Sequence, residues 1–235
     1  MTVKEIMTQL ESLGSQQIKN ILLKHGVKEP FFGVKVGDMK PIQKKIKKDY
    51  QLAKDLYATG NADAMYLAGL IADDAKMTKK DLQTWVKNSV SNNINEYTVP
   101  WVTAEGQYGY ELGMEWIDSK EPRIAVAGWS TLANLATLKP DSELDMAVFK
   151  KLLARVEKNI HSAPDRVRYW MNNFVICVGS YVVPLSEDAI AAAKRIGDVI
   201  VNMDGTSCKV PGAIDYIKKS KDRGSLGKKK KTVKC

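Results

Sequence analysis

The chain has 235 residues, of which 44% are hydrophobic and 27% are charged, a balance that excludes a disordered protein. No apolar run approaches the roughly 18 residues that a membrane-spanning helix needs, and the N-terminal residues do not form a secretory signal. The formal net charge is +9, but residues 218–235 hold nine Lys or Arg against Asp222, so the rest of the chain is nearly neutral.

Cysteine usage and motifs argue against metal or cofactor chemistry. Cys177, Cys208 and Cys235 are far apart and form no CxxC pair, which predicts reduced thiols in a cytoplasmic protein. The sequence also contains no P-loop, GxGxxG, HExxH or GxSxG fingerprint. We therefore expect no metal site and no cofactor.

Helical periodicity recurs from the N-terminus, whereas strand signals are scarce. In residues 2–13, Val3, Ile6, Met7 and Leu10 follow the spacing of one apolar helix face. Asp38 is predicted to be the N-cap of the next clear helix. Further helices are predicted in residues 61–74, 79–90, 109–119, 121–138, 142–161, 163–183 and 186–203.

The predicted helices form pairs of similar length. Taking Asp38, Thr78, Glu121 and Pro164 as the first positions of successive pairs gives spacings of 40, 43 and 43 residues. These spacings match HEAT or armadillo repeats, in which stacked helical hairpins share one core. We predict an all-α helical-repeat solenoid; a compact helical bundle is the alternative fold.

The helix after Asp38 is rich in lysine on one side. Lys40, Lys44, Lys47 and Lys48 are predicted to face away from an apolar stripe that begins at Met39. Two interpretations remain open for these lysines: a solvated face, or a ridge that contacts the phosphates of a nucleic acid. The preceding Phe31 and Phe32 are expected to pack at the joint between helices.

A central segment combines aromatic and acidic residues. If it is helical, Trp101 and Glu105 lie one turn apart on one face, although Pro100 argues against a straight helix here. Such a pair could stack on a nucleobase while the carboxylate stabilises developing positive charge. Ordinary packing of the tryptophan between helices is the alternative.

A second cluster lies in the helix predicted for residues 163–183. Arg166 and Trp170 can share a face at i, i+4 spacing, whereas Arg166 and Arg168 cannot. Asn172 and Asn173 are unusual in an apolar helix. They predict either a hydrogen bond between repeats or a polar binding face.

The C-terminus is predicted to be a basic extension, residues 213–235, beyond a single domain of residues 1–212. Gly205, Pro211 and Gly212 indicate a turn-rich link before it. A basic extension of this kind either binds nucleic acid in a salt-sensitive manner or is a solvated, disordered terminus. The lysines expected to bind are Lys228, Lys229, Lys230 and Lys231.

Three segments together resemble the AlkD-like DNA alkylation-repair family. They are "FFGVKVGDMKPIQKKIKKDY", "EWIDSKEPRIAVAGWSTL" and "RVRYWMNNFVICVGSYV", and the resemblance covers about residues 1–200. It implies HEAT-like helical solenoids that hold duplex DNA in a basic concave groove. Lys40, Lys44, Lys47, Arg166 and Arg168 would then contact phosphates.

Glycosylases of this family are similar in having a Trp followed four residues later by Asp, an Arg on the next repeat and a further aromatic. The nearest match here is Trp101 with Glu105, Arg123 as the arginine, and Phe174 or Trp170 as the aromatic. The resemblance therefore implies a DNA-binding protein of the alkylation-repair type, and at finer detail a metal-independent N-glycosylase for alkylated purines. The alternative is a non-catalytic helical-repeat scaffold for nucleic acid or protein.

Overall fold

The computed structural model describes residues 1–202 and 209–235, and all regular structure in these two ranges is helical. The predicted all-α class is confirmed. Gly205 and Cys208 lie outside the described residues. No single helix in the described ranges is long and apolar enough to cross a membrane; one bent pair, Asp165–Tyr181 with Val183–Ile196, passes by length and composition alone.

The first compact unit contains residues 1–108 and also the chain end, Lys234–Cys235. A π-helix, Ile94–Thr98, leads directly into its last α-helix. The α-helices are α1 Val3–Leu13, α2 Gln16–Lys24, α3 Val36–Ile46, α4 Tyr50–Ala58, α5 Ala62–Ile71, α6 Lys79–Asn88 and α7 Val99–Glu105.

The second compact unit contains the described residues of 109–233. Short 3₁₀ turns precede or follow several of its helices. The α-helices are α8 Gly109–Trp116, α9 Pro122–Leu138, α10 Met146–Asn159, α11 Asp165–Tyr181, α12 Ser186–Ile196 and α13 Ala213–Asp222.

The repeat is more regular in the structure than in the predicted helix starts. Thr78 is the N-cap of α6, as predicted, and Glu121 and Pro164, predicted as the first positions of helix pairs, are the N-caps of α9 and α11. Asp38 is not an N-cap: α3 begins at Val36 with Lys35 as its N-cap, and Asp38 lies in the first turn. An acidic side chain is favourable at either place, which is why the sequence alone misassigned it. The N-caps at positions 35, 78, 121 and 164 are therefore each 43 residues apart.

Helix α5 forms the core of the first unit, since all ten of its residues are buried. Its Asp63 accepts backbone hydrogen bonds from Phe32, Gly33 and Val34 at 2.6, 2.9 and 3.3 Å. These bonds hold the loop before α3 and let Phe31, 2% exposed, pack on Val27. The aromatic turn ahead of the lysine-rich helix is thus an anchor that positions α3.

Helices α9 and α11 form the core of the second unit. The rings of Trp129 and Phe174 meet edge to face with centroids 5.4 Å apart, and Phe149 packs on Phe174 at 5.8 Å. At Gly128 a Cβ atom would lie 2.6 Å from the backbone nitrogen of Ile117. Helix α9 can therefore lie this close to Ile117 only because residue 128 has no side chain. The close approach fixes α9 against the end of α8.

The C-terminal segment is packed within the second unit. Helix α13 contacts α11 and α12 through Ile217, which is fully buried. Asn172 of α11, 3% exposed, donates to the carbonyl of Pro211 at 2.8 Å, so it serves packing. Farther on, the backbone N–H groups of Gly227 and Lys230 donate to carbonyls of Ser180 and Thr137, both at 3.0 Å.

Candidate nucleic-acid interface

The exposed face of α3 carries the predicted lysines. Met39 and Ile42 are buried against the first unit, whereas Lys40 and Lys44 are exposed on the helix. Lys47 and Lys48 follow just past the end of the helix and are also exposed. We call Lys40, Lys44, Lys47 and Lys48 the α3 lysine ridge.

Lys47 holds an unfavourable backbone conformation. It is the C-cap of α3 with φ +64° and ψ −111°, and no other non-glycine residue in the described ranges has a positive φ. Such a conformation costs of order 1–3 kcal/mol for a residue with a side chain. Glycine at this position would avoid this cost.

A buried carboxylate joins the lysine ridge to the chain end. The Asp74 side chain is 4% exposed and lies 3.3 Å from the Lys48 ammonium. Lys234, 9% exposed, donates from its Nζ to the same carboxylate and also contacts the carbonyl of Ala72. Two lysines therefore share one buried carboxylate.

Three aromatic rings lie beside this ion cluster; we call Tyr66, Trp101 and Tyr97 the aromatic step. Tyr66 meets Trp101 edge to face at 5.5 Å, and Tyr97 lies tilted on Trp101 at 5.9 Å. Trp101 is 4% exposed and Tyr97 is 36% exposed, so Tyr97 is the ring that faces solvent. Burial raises the pKa of Tyr66, and its contact with Cys235, the residue after Lys234, adds to this rise.

The π-helix explains why Tyr97 and Trp101 meet. Its wider turn, residues 94–98, runs without a break into α7, whose first turn accommodates Pro100. Trp101 and Glu105 therefore belong to one short helix, one turn apart. π-Helical turns are rare and frequently occur at functional sites.

The other residues implied for base excision belong to the second unit. The Arg123 guanidinium pairs with Glu121, at 2.9 Å from Nη2 to the carboxylate. Phe174 is completely buried and Trp170 is 8% exposed, so both rings are enclosed by neighbouring side chains. Arg123 is the most exposed of these three residues, with 39% of its side chain accessible.

Arg166 and Arg168 have different surroundings. Arg166 lies over the ring of Tyr169 at 5.8 Å and is half-exposed. Arg168 donates to four backbone carbonyls, at distances from 2.7 to 3.2 Å. A guanidinium used in this way fixes the loop between α10 and α11, because its donors already have protein acceptors.

The four predicted tail lysines also divide into two kinds. Lys229 is 18% exposed, pairs with Asp141 at 2.9 Å and donates to the carbonyl of Ala136. The Lys230 ammonium lies 5.9 Å from the ring centre of Tyr181. Lys228 and Lys231 are exposed. In the described ranges, no group of three His, Cys, Asp or Glu side chains could hold a metal ion.

Sequence reasoning missed Asp74 and Lys234 as parts of this surface. The two residues are 160 positions apart, and neither belongs to a local motif. Tyr66 was missed because it lies within the wholly buried helix α5. Tyr97 carried a detectable signal, since it stands four residues before Trp101 in the aromatic segment.

Comparisons with known proteins find relatives over most of the chain. A family model described as DNA alkylation repair enzyme matches residues 6–196. An uncharacterized protein of Listeria innocua is 31% identical over 227 residues, which cover 94% of this chain and 98% of the relative. One of Listeria monocytogenes is 29% identical with the same coverage.

A solved structure is similar over the full length of both chains, at 38% identity and a TM-score of 0.92. It is described as belonging to a new family of proteins related to the HEAT-like repeat DNA glycosylases, with affinity for branched DNA structures. The predicted HEAT-like fold and the predicted family resemblance are both confirmed.

Proposed function

Because the chain belongs to the DNA alkylation repair enzyme family, we propose that it binds branched DNA through the α3 lysine ridge and the adjoining aromatic step. The observation that most supports this proposal is a continuous series of contacts. Lys48 and Lys234 both pair with Asp74, and Cys235, the residue after Lys234, contacts Tyr66. This series links the exposed Lys48 to the buried Tyr66, and Tyr66 adjoins the exposed ring of Tyr97 through Trp101. These contacts support a surface within the first unit that combines cations with an aromatic ring.

The lysine ridge suits the phosphate backbone. Within the described residues, no ion pair holds Lys40, Lys44 or Lys47, so their charges are available to a polyanion. Phosphate contacts of this kind position a protein on DNA without reading its sequence. Lys228, Lys231 and Arg166 are further proposed phosphate contacts, whereas Arg168 and Lys229 are proposed to be structural.

The aromatic step suits an unpaired base. Tyr97 presents a ring to solvent on top of Trp101, and stacking on such a ring tolerates any base. A branch point interrupts the continuous base stacking of duplex DNA, so bases there can meet an exposed ring more readily than bases inside an intact duplex. The affinity for branched DNA described for the similar solved structure supports this choice of substrate.

We propose that binding is not followed by base excision. Trp101 is covered by Tyr66 and Tyr97, and Phe174 and Trp170 are enclosed by protein, so these rings offer no open platform for a flipped base. The proposed function thus combines DNA binding of the alkylation-repair type with the non-catalytic alternative.

Fluorescence anisotropy with a labelled four-way junction and a linear duplex of equal length tests the binding. We expect tighter binding of the junction, and about a tenfold or larger loss in the triple variant Lys40→Gln, Lys44→Gln, Lys47→Gln. The control is Lys4→Gln, Lys24→Gln, Lys28→Gln, which changes the charge equally at other exposed positions. Equal losses in the two triple variants would contradict the assignment of the ridge.

Release of 7-methylguanine from alkylated DNA tests the absence of excision. We expect the same release with the protein as in buffer alone, and no difference between the protein and Glu105→Gln. Release that exceeds the spontaneous rate and disappears in Glu105→Gln would instead establish a glycosylase with Glu105 as its carboxylate.

A further inference from the structure

A second basic and aromatic site lies in the second unit, and part of it is formed by helix α13, which follows the residues that match the family model. A cleft of about 220 Å³ lies between the end of α11 and helix α13 with the turn after it. We call it the Tyr216 cleft. Its lining residues are Ile176, Ser180, Tyr181, Tyr216, Lys219, Ser220, Arg223 and Ser225.

One face of α13 supplies half of the lining. Tyr216, Lys219, Ser220 and Arg223 follow i, i+3, i+4, i+7 spacing, so they point to the same side. Ile217 on the neighbouring face is fully buried and fixes the rotation of the helix. The lining is therefore held by a packed element.

The cleft presents positive charge. Lys219 and Arg223 are exposed, and no ion pair involves them within the described residues. The Lys230 ammonium adds a third cation near the Tyr181 ring, at 5.9 Å. No acidic side chain lines the cleft.

The C-terminal end of a helix carries a partial negative charge, which would repel an anion. Here that partial charge is reduced, because carbonyls near the ends of α11 and α13 already accept backbone hydrogen bonds. Ser180 accepts from Gly227, Lys219 from Arg223, and Ser220 from Ser225, at 3.0 to 3.2 Å. The cleft consequently offers side-chain cations and hydroxyl groups to a ligand.

We propose that the Tyr216 cleft binds the phosphorylated end of an unpaired DNA strand, with a base on Tyr216 and the phosphate between Lys219 and Arg223. Tyr216 is 53% exposed, so its ring is open for stacking. An arginine forms paired hydrogen bonds to phosphate oxygens, and a lysine adds a point charge. This inference rests on the proposed function and gives branched DNA a second point of contact.

The test compares three ligands: a fully paired duplex, the same duplex with a 5′-phosphorylated single-stranded flap, and a 5′-phosphorylated thymidine dinucleotide. We expect the protein to prefer the flap, and Tyr216→Ala or Arg223→Gln to weaken flap binding about fivefold or more. Duplex binding should stay within about twofold. Lys158→Gln, at an exposed position on α10, is the matched control.

The outcomes separate this inference from the proposed function. Loss of flap and duplex binding to the same extent in both variants, or no loss in either, would overturn the cleft assignment while leaving DNA binding intact. If the protein does not bind the four-way junction or the duplex but binds the flap and the dinucleotide, and Tyr216→Ala loses both, the proposed function fails while the cleft assignment stands. A protein that does not bind the flap would overturn the cleft assignment.

Two further controls keep the result specific. Tyr216→Phe retains the ring and should bind the flap as the original protein does, which separates loss of stacking from loss of folding. A polyglutamate peptide of equal charge should not compete with the dinucleotide. Equal competition would overturn the assignment in favour of an acidic protein partner.

Discussion

Two residues of the first unit, Lys47 and Asp81, affect the stability of the fold in opposite directions. Lys47, the C-cap of α3, has a φ of +64°, which is unfavourable for a residue with a side chain and lowers the stability of the fold. Asp81 closes the capping box of α6 with Thr78 and also accepts hydrogen bonds from Tyr50 and Lys54. The first residue is proposed to serve binding, and the second serves the fold.

Replacing Lys47 by glycine should separate stability from binding. Glycine adopts φ +64° without steric cost, so we expect Lys47→Gly to raise the free energy of unfolding by about 1 kcal/mol. The same change should weaken junction binding and lower its salt slope by about one unit. Denaturant unfolding and salt titration measure the two effects; Lys45→Gly, inside α3, is expected to destabilise instead. A fall in stability in Lys47→Gly would contradict the strain assignment.

The lowered pKa of Asp81 predicts that the folded protein becomes less stable in acid. Burial of the carboxyl raises this pKa, but hydrogen bonds from Thr78, Lys54 and Tyr50 outweigh burial and bring it to about 2. Because the folded pKa lies below the ordinary 3.8, the stabilisation is present above pH 4 and is lost as the pH falls towards 2. Asp81→Asn should cost about 1 kcal/mol at pH 7 and almost nothing near pH 2. If Asp81→Asn lowers the free energy of unfolding by the same amount at pH 7 and near pH 2, Asp81 is not ionised in this network.

At the scale of helices, the sequence predicts the starts of the repeat helices better than it predicts the helix beyond the last repeat. Thr78, Glu121 and Pro164 could be assigned because capping residues and helix-initiating prolines act locally. Helix α13 was not predicted, since its apolar anchor is essentially Ile217, and one buried residue gives no periodic signal. Its place depends on packing against α11, which is remote in sequence.

Close helix contact makes a prediction at Gly128. An alanine Cβ there would lie 2.6 Å from the backbone nitrogen of Ile117, and backbone cannot move aside as a flexible side chain can. We expect Gly128→Ala to lower the free energy of unfolding by about 2 kcal/mol. Gly37→Ala is the control, because no atom lies within 4 Å of the added Cβ and alanine favours the helix by about 0.5 kcal/mol. Thermal unfolding of the two variants should show shifts of opposite sign; a stable Gly128→Ala would mean that α8 and α9 are spaced more widely.

For the whole molecule, the period of 43 residues between N-caps explains why the fold was predictable while the site was not. Repeat length is a one-dimensional property of the sequence, so it identifies the HEAT-like class. The lysines of α3 were found for the same reason, since amphipathicity is local. By contrast, the ion pair between Asp74 and Lys234 and the packing of Tyr66 on Trp101 join segments that are far apart in the sequence, so no local pattern predicts them.

The salt dependence of four-way-junction binding shows whether the α3 lysine ridge contacts DNA phosphates. If the α3 lysine ridge contacts phosphates, the logarithm of the affinity should fall linearly with the logarithm of salt concentration. The triple variant Lys40→Gln, Lys44→Gln, Lys47→Gln should then have a slope shallower by about 2 to 3 units. A slope that is the same in the triple variant as in the original protein, or an affinity that does not change with salt, would contradict the account.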